Sequence, residues 1–245
     1  MLEHLKLEWY KYLLEILVIT IGILGAFALN NWNDSRLERI DEVAILRRVK
    51  NDLQNTIAEF EFLNEIRDKV LGGTRGLLEL SGSKDFDKAR VDSLLGMTMY
   101  RPTFNNKMGT IDLLFATGKL NIIKSDSIKN LLITWPGSVD DTIEEEAYAI
   151  KLLQDHYYPK IAEYVYLNDA IGTALGISFF GGKIVSDDFP AIDFQNNYSG
   201  LLKDREFLNH LRMRASHMQI SNSETIELIK QTQEIIRLVD KELTR

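Results

Sequence analysis

The alternation of apolar and polar positions along this chain changes character at Trp32. From Tyr12 to Trp32 it reads YLLEILVITIGILGAFALNNW, with Glu15 as the single charged residue. As a helix rising ~1.5 Å per residue this stretch would be about 30 Å long, the thickness of a bilayer's hydrocarbon core. Trp9, Tyr10 and Tyr12 stand at one end and Trp32 at the other, where amphipathic rings favour the headgroup level. The pattern predicts a tail and transmembrane anchor over residues 1–32. A cleaved signal peptide would need a cleanly basic start and a small-residue cleavage site. Instead Glu3, Lys6, Glu8 and Lys11 mix signs, and Leu29-Asn30-Asn31-Trp32 is bulky and polar.

Beyond Trp32 the period becomes helical and remains so, predicting a helical bundle domain over residues 33–245. Asn33 or Asp34 could cap a new helix, or one helix could run on from the membrane. Leu46, Val49, Leu53, Ile57, Phe60 and Leu63 recur at steps of three and four with charges opposite. Gly72-Gly73 is expected to end that helix. Ser81–Arg90 reads as a polar loop before a short helix over 89–100, which Pro102 interrupts. Ile111, Leu114 and Phe115, then Gly118, then Ser125 with Ile128, Leu131 and Leu132 form a helical hairpin that Pro136-Gly137 closes. A long helix follows over 140–170, with an acidic opening suited to a helix N-terminus and a kink at Pro159. Residues 172–200 read as a glycine- and aromatic-rich loop. The last helix, 203–243, carries Leu208, Leu211, Ala215, Met218, Thr225, Ile229 and Val239 on one stripe. The predicted fold class is all-α: a transmembrane helix and an elongated antiparallel bundle with a short helical hairpin.

Composition narrows function by exclusion. The 245 residues hold no cysteine, which removes disulfides, thiolate nucleophiles and cysteine-based metal sites. A net charge of −7 argues against a global attraction to nucleic acid. Arg36, Arg39, Arg47, Arg48 and Lys50 follow the apolar run and favour a cytoplasmic domain by a literal count. Long domains translocate largely regardless of charge, so the short basic tail carrying Lys6 and Lys11 is expected to stay inside and the bundle to lie outside the cytoplasm.

Candidate chemistry is sparse. Glu15 is costly among lipid-facing residues, and Lys11 four residues earlier can pair with it at the headgroup boundary. Gly22 and Ala26, with Gly25 nearby, have the small spacing that lets two transmembrane backbones approach, and Asn30 and Asn31 could bond across such a pair. His210 and His217 lie two turns apart and His156 adjoins Asp155; none has the i, i+4 spacing of a helical metal site, so no metal and no cofactor is expected. Phe179, Phe180, Phe189 and Tyr198 in the aromatic loop could line a pocket. No phosphate loop, G-x-S-x-G elbow or H-E-x-x-H motif is present. The hairpin superficially resembles a helix-turn-helix, but Asp126 opens its second helix where a DNA reader would be basic.

Two stretches together resemble a bacterial family of small single-span membrane proteins, a domain of unknown function. KYLLEILVITIGILGAFALNNWND, from Lys11 to Asp34, is similar to that family's opening. Thr103, Phe104, Ala116, Gly118, Leu120, Asn121, Ile123, Lys124, Ile128 and Leu131 fall on its second patch. Gly25 and Trp135 depart from its pattern. The resemblance implies the architecture and carries no activity.

These readings converge on a non-enzymatic, membrane-anchored helical scaffold or interaction protein of the bacterial inner membrane. Its expected partners are the bilayer and further copies of itself or other membrane proteins in an envelope complex. Two alternatives are a ligand-sensing bundle that signals through a partner, and an enzyme or a subunit of an ion-conducting complex using Glu15, Asp112 or Glu163.

Overall fold

The computed structural model describes residues 2–83, 85–105, 109–174 and 194–244, and these are all-α. Helix α1 spans Leu2–Leu80, 79 residues without a break, or about 120 Å at 1.5 Å per residue. No proline occurs before Pro102, so nothing in the backbone obliges α1 to stop. Asn33 and Asp34 open no new helix.

After a turn, Asp87 caps α2 (Lys88–Thr98), its Oδ1 accepting from the Ala89 N–H at 3.2 Å. The chain then descends beside α1 through α3 (Gly109–Ala116) and a 3₁₀ turn, Lys119–Ile122. Gly118 between them has φ +65°, the left-handed geometry at which a side chain would be strained. Helix α4 (Asp126–Leu152) climbs again and passes through a π turn, Leu153–Tyr157, into α5 (Tyr158–Ala162). Short helices α6 (Leu167–Ala174) and α7 (Tyr198–Leu201) precede α8 (Arg205–Leu243), which runs back down the bundle.

Side-chain pairs fix these directions. Arg39 meets Glu242, Lys50 meets Asp240 and Asn222 meets Asp68, so α1 and α8 are antiparallel. The Trp135 indole donates to Thr232 at 2.9 Å and Lys124 lies beside Glu38, so α4 runs parallel to α1. The result is an up-down-up-down bundle whose second member is split into α2 and α3.

Its core has three parts. The half nearer the apolar N-terminal segment packs Leu46, Val49, Leu53 and Phe60 against Ile128, Leu132, Trp135, Leu228 and Ile235. The far half packs Leu77, Leu95, Tyr157, Leu201, Phe207 and Leu211. Ile66, Val70, Tyr100, Ala149 and Met218 lie between.

Several boundaries differ from the sequence expectation. Gly72-Gly73 does not end α1. A Cβ on Gly73 would stand 2.8 Å from Met97 Cβ and 2.9 Å from the Leu94 carbonyl, so that glycine admits α2 against α1. Pro136-Gly137 does not close the hairpin but lies inside α4. An internal proline costs roughly 3 kcal/mol, yet burying Trp135 alone returns about 4–6 kcal/mol. The helix expected over 140–170 accordingly begins at Asp126 and ends by Ala162. Ser125 occupies the N-cap position of α4, but its side chain makes no capping bond. The kink expected at Pro159 takes the form of the π turn just before it, which accommodates the carbonyl that proline cannot satisfy.

Candidate functional site: an uncovered apolar helix on a braced bundle

From Trp9 to Trp32, α1 is exposed on every side. Trp9 is 60% exposed, Leu24 61%, Phe27 62% and Trp32 61%. Among the described residues, this is the one helix segment long and apolar enough to cross a membrane. Nothing lies within 4 Å of a Cβ built on Gly22 or Gly25. Glu15, Ala26 and Asn31 are exposed on the same segment. Thr20 returns its hydroxyl to the Ile16 carbonyl at 2.7 Å, and Asn30 donates to Asp34 at 3.0 Å. That last bond is within the helix, one turn along, rather than across a pair.

Above this segment, carboxylates on α1 hold the descending chain by its backbone. Glu59 accepts from the Asn105 N–H at 3.0 Å, Asp52 from Thr110 at 2.8 Å and Glu42 from Lys124 at 2.6 Å. Asp52 thereby supplies an N-terminal acceptor for α3 from another helix. Charge-assisted bonds of this kind are about twice as strong as neutral ones. Sequence reasoning missed this ladder, because the carboxylates sit among exposed charges of ordinary helical spacing.

Two buried arginines brace the centre. Arg67 pairs with Glu146 and donates to Asn64 at 2.8 Å and Thr225 at 2.7 Å. Glu146 also accepts from the Phe104 N–H at 2.8 Å. Burial pushes the Glu146 carboxyl up, against the pull of that N–H and of Arg67. Arg214 donates to the carbonyl of Thr98, the last residue of α2, and to that of Tyr100 just past it, where the helix dipole is negative. Burial pulls its guanidinium down to about 10. Tyr157, carried inward by the π turn, shares a 2.6 Å bond with the Thr98 hydroxyl, and Tyr158 donates to the Met99 carbonyl.

The remaining candidates are dispersed. Asp112 is exposed on α3, and Glu163 pairs with Lys160 at 2.8 Å. His217 meets Glu145 at 2.6 Å, whereas His210 stacks on His156 with ring centres 5.6 Å apart. Among the described residues, no three His, Asp or Glu side chains converge as a metal cage. Phe179, Phe180 and Phe189 lie outside the described residues. Tyr198 is buried, donating to Asp92 at 2.7 Å and accepting from Asn196 at 2.9 Å. Nearby, a cleft of about 350 Å³ is lined by residues 162–167 together with Phe194, Gln195 and Asn196.

The apolar segment, the carboxylate ladder and the start of α4 follow one another along the first part of the chain. Residues 15–135 match a family of unknown function, DUF6090. The matched segment runs from within the apolar stretch, through α2 and α3, to the indole that bonds α8. This agrees with the resemblance seen at Lys11–Asp34 and in the hairpin, and it leaves α8 and the distal helices outside the match. No curated protein and no solved structure matches the chain.

Proposed function

We propose that the protein is a single-pass, membrane-anchored scaffold that self-associates and holds its helical bundle off the bilayer for other proteins of an envelope complex. The observation that carries this reading is the continuity of α1. One unbroken helix contains the uncovered apolar segment Trp9–Trp32 and the central member of the bundle. A helix apolar all round and uncovered by protein needs lipid or a partner around it. The polar groups buried inside the bundle support a structural role, since Arg67, Glu146, Arg214 and Tyr157 are all engaged in joining helices.

Placement of the bundle outside the cytoplasm is proposed because a long domain translocates largely regardless of the charges beside its anchor. Paired alkaline-phosphatase and fluorescent-protein fusions at Arg245 test both parts of the proposal in a bacterial host. Phosphatase activity in an alkali-resistant membrane fraction is the expected result. Fluorescence without phosphatase activity would put the bundle in the cytoplasm, and recovery in the soluble fraction would remove the anchor.

A further inference from the structure

Below the bundle, α1 carries a second stripe, centred on the apolar Leu37 and Ile40, that no other described residue covers. Helix α8 reaches only to the level of Arg39, where Glu242 receives that guanidinium. The face of α1 turned to the bundle is Glu42, Leu46, Val49 and Leu53, all buried. On the opposite face Asn30, Asn33, Leu37, Ile40 and Ala44 recur at alternating steps of three and four, all exposed. Leu37 is 52% and Ile40 53% exposed, and one further turn back the same face reaches Ala26 and Gly22. Read as a heptad, Leu37 and Ala44 take the a position and Ile40 the d position.

We propose that this face pairs with a second copy of the chain in a parallel two-helix seam running from Gly22 to Ala44. The inference rests on the anchored reading and names its partner. Two copies in one bilayer have the same orientation, so their α1 helices meet in parallel. In that arrangement g residues face e residues five positions on in the partner. Here those are Arg36 and Asp41, of opposite charge, both exposed, and neither forms an ion pair among the described residues. The antiparallel alternative would lose this match. The water-exposed part, residues 33–44, spans fewer than two heptads, short of the roughly three or four that sustain a coiled coil alone. The bilayer supplies what is missing by holding the two copies side by side at high effective concentration. The small residues Gly22 and Ala26 then let the backbones approach within the lipid.

The chain has no cysteine, so single substitutions report directly on proximity. Leu37→Cys, Ile40→Cys and Ser35→Cys are made in the full chain and oxidised in native membranes. Ser35 is exposed but points away from the seam. Disulfide-linked dimer at Leu37→Cys and Ile40→Cys, several-fold above Ser35→Cys, is expected. Adding Asp41→Arg to Ile40→Cys should lower the dimer roughly two- to fivefold, the range of an exposed ion pair, and adding Arg36→Asp as well should restore it. Equal crosslinking at all three positions would overturn the seam. So would absence of dimer in chains that resist alkaline extraction, leaving lipid headgroups or another protein over Leu37. Chains recovered in the soluble fraction would overturn the anchor itself and this pairing with it.

Discussion

At Arg67 and Glu146 two full charges sit in the middle of the bundle, 0% and 4% exposed at the side chain. Removing one partner from such a pair strands the other, which costs about 3–5 kcal/mol, whereas replacing both with apolar residues is often near neutral. Glu146→Ala should therefore lower stability by that amount in denaturant unfolding of the detergent-solubilised chain. Arg67→Met with Glu146→Leu should recover most of it. A double variant as weak as the single one would show that the pair itself supplies the stability. Asp204 works differently. Its carboxylate caps α8 through the Phe207 N–H at 2.9 Å and accepts from the Tyr164 hydroxyl at 2.7 Å. Those bonds hold it down at about 2, against an ordinary ~3.9. A depressed carboxyl adds stability that is fully present above its unfolded value and is lost as pH falls through its folded value. The window is thus pH ~4 down to ~2, and Asp204→Asn should flatten the acid limb of melting temperature against pH there. Parallel acid limbs in the two proteins would show that the cap is not the group titrating.

At the scale of elements, glycines in one helix have opposite jobs. Gly73 and Gly76 lie under α2, where an added Cβ would meet Leu94 and Met97 below 3 Å, while Gly72 faces open space. Alanine is worth up to ~1 kcal/mol over glycine in a helix interior, so Gly72→Ala should stabilise by about that much. Gly73→Ala should destabilise by about 1–3 kcal/mol, because the Leu94 carbonyl is backbone and cannot swing aside. Equal effects in thermal melts would mean that α2 does not press on α1. This pair shows what the sequence could and could not disclose. Leu46, Val49, Leu53 and Phe60 were legible because a 3.6-residue period needs no knowledge of the partner. A glycine that ends a helix and one that admits a neighbour have the same letter, and only α2, some 20 residues on, distinguishes them. Arg214 looked like any surface arginine for the same reason. Its acceptors are carbonyls at Thr98 and Tyr100, which carry no side-chain signal at all. The apolar stretch was legible in full, whereas the ladder of Glu42, Asp52 and Glu59 was not.

For the whole molecule, the unbroken α1 fixes a dimension. If Trp32 lies at the bilayer surface, the 48 residues from Asn33 to Leu80 carry the bundle outward by about 70 Å at 1.5 Å per residue. A hinge would need a proline, a left-handed glycine or an inserted side chain in that stretch. No proline is there, and Gly118, on the descending chain, is the described glycine with a positive φ. The three-part core and the carboxylate ladder run alongside α1 for most of the distance, so bending would break buried contacts on one side. The protein in a lipid nanodisc should therefore appear by electron microscopy as a rod standing about 70 Å from the disc, its far end formed by α2, α6 and the start of α8. A bundle lying flat against the lipid would require α1 to break near Asp34–Leu37, between Trp32 and the first bundle contact at Glu38. That outcome would also separate the paired seam at Leu37 and Ile40, so the height of the rod and the crosslinks at those positions should rise or fall together.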